Sequence, residues 1–361
     1  MQREMIEARK PPVLSVGFIG WCREKLFATP TNSLVTVAIL YGLFSLIPSF
    51  IQWAFVDATW AGASSSECSS EGACWAFISS RLDQFIYGFY PQELSWRVDL
   101  FFIQLAAVLA WLMIPVLPGK KYSLAYGLIV MPVTSWIILA GGLLGLEPVD
   151  THDWGGLMVT LVLAMYGMLA SLPIGVLLAL GRRSEMPVVK TFCTVYIELW
   201  RGVPLITVLF MASVMLPLFV PEEIVFDKLV RAMIGIVMFQ SAYMAEVVRG
   251  GLQAIPKGQQ EASDSLGMGY WQSMCLVVLP QAIRLVIPGI VNTFIALFKD
   301  TSLVLVIGLF DLLSIVQAGL NDPAWLGTST EGYLFVGFVF WIFCFGMSRY
   351  SQSLENNRQE H

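Results

Sequence analysis

The fold class that this sequence predicts is an all-α membrane protein of about eight transmembrane helices, and three observations predict it. The 361 residues are 57% hydrophobic and 13% charged, with a mean hydropathy of +0.70. A soluble domain carries about 25% charged residues, so lipid is the solvent this surface requires. The apolar residues form unbroken runs of about 20, enough to cross about 30 Å of hydrocarbon as a helix, and not the alternating ten-residue segments of a barrel. Lys and Arg sort to alternate connections between those runs. The net charge of −5, with no basic tract, argues against a nucleic-acid partner.

In order, the predicted spans are 33–56, 98–117, 123–146, 156–181, 194–220, 230–250, 279–298 and 332–348. The first 30 residues are mixed, with Arg3, Glu4, Glu7, Arg9, Lys10, Arg23, Glu24 and Lys25, and do not read as a cleavable signal. Pro204, near the start of the fifth span, predicts a helix bend. The run 302–318 is apolar, short and interrupted by Asp311. It fits a re-entrant or interfacial helix, or a continuation of the seventh span. Eight crossings put both termini on one side. With that side cytoplasmic, only Arg81, Arg97, Lys228, Arg231 and Lys299 of the 21 Lys and Arg residues fall outside, so the positive-inside rule makes both termini cytoplasmic.

The first outer loop, 57–97, is long and Ser-rich and contains Cys68 and Cys74. A disulfide between them suits an oxidising compartment; two free thiols are the alternative. No internal repeat is evident, which weakens an inverted-repeat transporter. Gly, Pro and intramembrane polar residues become more frequent after a polar segment at 146–153. The chain is therefore expected to divide into 1–150, N-terminal accessory helices with the loop 57–97, and 151–361, a transport core with the cytoplasmic loop 251–280.

That cytoplasmic loop is the one organised polar stretch. Gly250 and Gly251 read as the end of the sixth span and Pro256 as part of the first turn of a new helix. Residues 259–266 make about two turns, and Gly267 stops them. Ala262 and Leu266 share a face, with Glu261 and Asp264 beside it: a small apolar ridge rimmed by acid. The amphipathic stretch 270–278 then leads through Pro280 back into the membrane. Such a helix suits a groove on another protein, although an ordinary polar connection fits the composition equally well.

Glu261-Ala262-Ser263, Gly267, Val277, Leu279 and Pro280 resemble the pattern that marks the membrane subunits of ABC importers. That pattern is Glu-Ala-Ala, three residues, Gly, nine residues, Ile, one residue, Leu-Pro. Ser263 stands for the third Ala and Val277 for the Ile, both conservative changes. The runs 197–205, 243–251, 255–259 and 299–306 resemble the polar amino-acid branch, and the similarity covers about 156–350. The three extra N-terminal helices are similar to those of the longer, M-type permease of general L-amino-acid importers. The resemblance implies a type I importer core of five helices plus three accessory ones, in a bacterial inner membrane. It also implies a coupling helix seated in a cleft of an ATPase subunit, placing Glu261, Ala262, Ser263, Asp264, Leu266 and Gly267 at that contact. The implied partners are an ATPase dimer holding ATP and Mg2+, a second homologous permease subunit, a periplasmic solute-binding protein and an L-amino acid.

No phosphate-binding loop of the form Gly-x4-Gly-Lys-Ser/Thr occurs, so the chain is expected to be a transport subunit and not itself an enzyme, with no cofactor of its own. Glu198 and Arg201 begin the fifth span and Glu246 and Arg249 end the sixth. Each pair is three residues apart on one helix face, as a network holding a gate or as charges snorkelling to the interface. Groups fit to line a substrate path are Gln240, Ser241, Tyr243, Asn292, Thr293, Lys299, Asp300, Thr301 and Ser302, although hydrogen bonding between helices explains such residues equally well. His152 and His361 are the two histidines, and no metal-ligand spacing or nucleophile triad appears. An ion-coupled secondary amino-acid transporter is the alternative; its uptake would persist without ATP and collapse with an ionophore.

Overall fold

The computed structural model describes residues 17–114, 116–219 and 227–359, with only the backbone of Ile19 and of 356–359. Arg3, Glu4, Glu7, Arg9, Lys10 and His361 lie outside the described residues, as does Val220, the end of the predicted fifth span. The chain forms two compact units, Met1–Ala76 and Phe77–His361.

In the first unit, α1 (Pro30–Val56) starts at Thr29, whose Oγ1 accepts the Asn32 N–H at 3.2 Å. Pro30 follows, where its missing N–H is not needed. None of the residues Pro30–Ile51 is buried, as expected of an apolar helix that faces lipid all round. The loop after α1 folds back on the helix end: Ala73 N–H donates to Trp53 O at 2.8 Å and Trp75 Nε1–H to Ala54 O at 2.7 Å. Cys68 and Cys74 are joined as a disulfide in this loop.

In the second unit, α2 (Ala76–Tyr87) buries Phe77 and Phe85 against Trp325 and Phe335, and Arg81 pairs with Asp322. Tyr87 donates to Asp99 Oδ1 at 2.8 Å; burial first, then Asp99, pushes its phenol up to about 12. α3 (Ser95–Met113) and α4 (Lys120–Ala140) are linked by Gln104 Nε2, 2.7 Å from both Tyr126 Oη and Thr134 Oγ1. There follow α5 (Gly156–Arg182), α6 (Pro187–Gly202), α7 (Leu205–Phe219), α8 (Lys228–Ala254), α9 (Lys257–Ser265), α10 (Tyr270–Ile307), β1 (Phe310–Asp311), α11 (Leu312–Leu320) and α12 (Ser329–Gln359). Six of the described helices are long and apolar enough to cross a membrane, and the bent pair α6–α7 is a seventh if it counts as one span. α8 has 27 residues, about 40 Å of helix, but Arg231, Glu246 and Arg249 dilute its apolar face. The six or seven described spans are roughly consistent with the expected eight.

α8 is the central element, packed on α5, α6, α7 and α10. Small residues set how close these helices come: a Cβ on Gly175 of α5 would lie 2.7 Å from Met244 Cβ of α8. One buried core joins α3, α4, α5, α7, α8 and α10 toward the Gly156 end. A second joins α5, α6, α8 and α10 toward the Arg182 end. At the Gly156 end, Gly155 and Gly156 bridge to Phe310 and Asp311. The buried Asp311 caps α11, accepting Ser314 N–H at 3.0 Å and Leu313 N–H at 3.2 Å.

Several expectations need correction. The fifth span is not one helix over 194–220. It breaks between Gly202 and Leu205, with α6 and α7 at 105°, because Pro204 cannot supply the N–H that a continuous helix needs there. Gly250 and Gly251 do not end the sixth span, since α8 runs on to Ala254. Gly251 serves close packing, a Cβ there being 2.6 Å from Ala282 O. Pro256 precedes α9 as its N-cap and is not in its first turn. The stretch 270–278 runs without a break into the seventh span as the start of α10. The run 302–318 splits: 301–307 extends α10 as a 3₁₀ turn, Gly308 ends it at φ +71°, and α11 is a separate nine-residue helix. Val98, Phe101, Met131 and Leu139 share the first core with Met158 and Val162.

Candidate functional site

The Arg182 end of the second unit gathers two of the predicted groups. α9 begins after Ile255-Pro256, where extended backbone releases the chain from α8. It ends in a Schellman turn: Gly267 N–H donates to Asp264 O at 2.9 Å and Met268 N–H to Ser263 O at 3.2 Å, with Gly267 at φ +76°. Only glycine takes that conformation without strain. Glu261, Ala262, Asp264, Leu266 and Gly267 are all exposed, Leu266 to 81%. Ala262 and Leu266 thus form the expected apolar ridge beside acids. Ser263 differs: it is 3% exposed and hydrogen-bonds Ser273 Oγ in the first turn of α10. Behind α9 lies a cleft of about 690 Å³ lined by Gln260, Tyr270, Trp271 and Met274 on one side and by the α5–α6 turn, including Arg183, Ser184 and Glu185, on the other.

The ion-pair residues meet through a member that the sequence reading did not include. Arg182, in the last turn of α5, pairs with Glu246 and, at 2.9 Å, with Glu198 of α6. Arg249 Nη2 reaches Glu246 Oε2 at 2.7 Å, and Arg201 Nη1 stands 3.7 Å from the same oxygen. Three guanidiniums and two carboxylates thus bind the ends of α5, α6 and α8. Among the described residues Glu198 pairs with Arg182 and not with Arg201, its expected partner three residues on. The Arg201 guanidinium instead lies 5.7 Å over the Tyr243 ring. The signal that could have found Arg182 is its place at the end of a 27-residue apolar helix, where a cation favours the helix dipole and needs an anion on a neighbour.

The substrate-path candidates do not converge in one place. Gln240 Nε2 donates to Thr293 O at 2.8 Å, tying α8 to α10, and Ser241 Oγ bonds Met238 O and the Tyr196 hydroxyl. Thr293, Thr301 and Ser302 hydroxyls each donate to a carbonyl of their own helix, three or four residues back. Tyr243, Asn292 and Lys299 are exposed, and Asp300 is half-buried. Residues 299–302 lie about 9–14 Å further along α10 than Thr293.

This arrangement, a multi-helix membrane core with an exposed capped helix at one end, is that of a transport subunit. Residues 171–357 match the family described as binding-protein-dependent transport system inner membrane component. The chain is 54% identical over 335 residues to the inner membrane amino-acid ABC transporter permease protein YhdY of Escherichia coli K12, covering 93% of this chain and 91% of that protein. It is 37% identical over 431 aligned positions to the glutamate/glutamine/aspartate/asparagine transport system permease protein BztC of Rhodobacter capsulatus, covering 100% and 98%. The shorter glutamate/aspartate import permease protein GltK of Escherichia coli O157:H7 is 36% identical over 193 residues, covering 52% of this chain and 84% of that one. The chain belongs to the family of inner membrane components of binding-protein-dependent transport systems. It is a multi-pass membrane protein of the ABC importer permease class.

Proposed function

We propose that the chain is the permease subunit of an ATP-driven importer of L-amino acids, and that α9 is the helix through which a separate ATPase drives it. The observation that carries this reading is α9 itself: a short, capped helix displaying Glu261, Ala262, Asp264 and Leu266 to solvent at the end of a membrane bundle. The relatives named as amino-acid permeases supply the substrate class. On this reading the Arg182 end faces the cytoplasm, with both termini, and the disulfide-bonded loop faces outside, as the distribution of Lys and Arg favours. ATP and Mg2+ belong to the ATPase dimer, and a second homologous permease and a solute-binding protein complete the transporter. Residues 151–361 form the transport core and 1–150 the accessory part; the family match to 171–357 and the shorter relative support that division.

The network of Arg182, Glu198, Arg201, Glu246 and Arg249 lies at the same end as α9 and holds α5, α6 and α8 together. It is assigned to the inner gate, whose opening separates those ends. Gln240, Ser241, Tyr243, Asn292, Thr293, Lys299, Asp300, Thr301 and Ser302 are assigned to successive levels of the substrate path.

The test is uptake into proteoliposomes holding the assembled complex. Uptake is expected to require ATP and the binding protein and to survive an ionophore. Glu261→Lys should abolish uptake while leaving membrane insertion intact. Uptake that persists without ATP and collapses with an ionophore would overturn the reading in favour of ion coupling.

A further inference from the structure

We propose that the paired hydroxyls of Ser263 and Ser273 form the clasp that transmits displacement of α9 to α10. This rests on the reading of α9 as the helix that meets the ATPase, and goes beyond it by naming the residues that carry the movement inward.

Three observations lead to it. The backbone between α9 and α10 is Leu266-Gly267-Met268-Gly269, with Gly267 at φ +76°. Two backbone hydrogen bonds close this turn, Gly267 N–H to Asp264 O and Met268 N–H to Ser263 O, but two of its four residues are glycines, so a tie between side chains adds stiffness to it. The cleft of about 690 Å³ lies between Gln260 of α9 and the α5–α6 turn, and α9 joins α8 through the extended Ile255-Pro256. Side-chain contact between α9 and α10 is the further link.

Two side-chain ties make that contact. The Gln259–Gln281 hydrogen bond, 3.2 Å, is exposed and competes with water. The Ser263–Ser273 bond is buried, with the two residues 3% and 2% exposed. The Ser263 hydroxyl donates to Gln260 O at 2.8 Å, which leaves its lone pairs to accept the Ser273 proton. Burial removes water as a rival partner, so separating the two hydroxyls strands Ser273. Ser273 lies in the first turn of α10, a continuous helical run to Ile307. A pull at Ser273 is therefore delivered along α10, through its π-helical turn at 274–278, to Thr293 and its partner Gln240.

The experiment uses the full complex in proteoliposomes with Ser263→Ala, Ser273→Ala and the double variant. It measures co-purified ATPase, ATP hydrolysis and uptake per ATP hydrolysed. Co-purification and hydrolysis are expected to stay at the wild-type level while uptake per ATP falls about fivefold or more in each single variant, with the double no worse than either. Unchanged uptake per ATP, or losses that multiply in the double variant, would overturn the clasp. If a single variant fails to assemble, Ser263→Cys/Ser273→Cys with Cys275→Ser decides. Oxidised to a disulfide it should keep wild-type coupling, and an oxidised but uncoupled complex would overturn the proposal. Glu261→Lys separates the two ideas. If it abolishes uptake while the serine variants are normal, α9 still couples but the clasp is wrong. If Glu261→Lys leaves uptake intact, the coupling reading itself fails.

Discussion

Arg182, at the end of α5, donates to the carboxylate of Glu246 on α8, 64 residues further along the chain. Glu246 also accepts from Arg249, at 3.0 Å to Nε and 2.7 Å to Nη2, and is the anion around which the Arg182 end is assembled. Its side chain is 16% exposed, so water replaces these partners poorly.

Glu246→Ala leaves three guanidiniums facing one carboxylate. A fully buried pair loses about 3–5 kcal/mol when one partner is removed; the part-exposed arginines here reduce that to about 2 kcal/mol. Glu246→Gln keeps some hydrogen bonding and should fall between. Thermal unfolding in detergent is expected to rank wild type, Gln, Ala. Equal midpoints would mean the network contributes nothing to stability.

Gly267 sits at φ +76° with open space around it, so a substitution there meets a backbone penalty and no clash. Gly267→Val should cost about 1–2 kcal/mol in the local turn and lower uptake, while Gly267→Asn is better tolerated. Gly267→Pro should be the most damaging, since it locks φ near −65° and removes the N–H that bonds Asp264 O. Uptake assays on the three variants, at matched membrane levels, should give the order Asn, Val, Pro.

Gly250 and Gly251 are neighbours with opposite expectations. A Cβ at Gly250 meets nothing within 4 Å, so Gly250→Ala should stabilise the helix by about 0.5–1 kcal/mol. A Cβ at Gly251 would stand 2.6 Å from Ala282 O and 2.9 Å from Val286 Cγ1, so Gly251→Ala should cost about 1–3 kcal/mol by forcing α8 from α10. Melting temperatures that move in the same direction for both would contradict this packing.

Alkylation of the denatured, unreduced protein should label four thiols, those of Cys22, Cys193, Cys275 and Cys344, and six after reduction. Replacing Cys68 and Cys74 by serine should destabilise the loop by about 2 kcal/mol, the value for closing so short a ring. Six labelled thiols before reduction would exclude the bridge.

How much of the site was legible follows from how local each residue's reason is. Gly267 stops α9 because of its own φ, and Pro204 bends the fifth span through its own ring, so both could be read in place. Ser263 could not. As a replacement for alanine it looked neutral, and its use depends on Ser273 ten residues away. Arg182 was only one more inward-facing cation until α6 and α8 brought Glu198 and Glu246 to it. Gly251 was read as a stop because glycine often ends helices, whereas here its missing side chain admits the Ala282 carbonyl.

By itself the sequence determined the lipid-embedded helical class and the exposed turn built around Glu261 and Gly267. Each depends on composition or on neighbours within one helical turn. Only the tertiary structure decided which charges pair, which glycines are contact points and which hydroxyls meet. Those outcomes depend on distances between helices, and no residue's own neighbourhood in the chain encodes them.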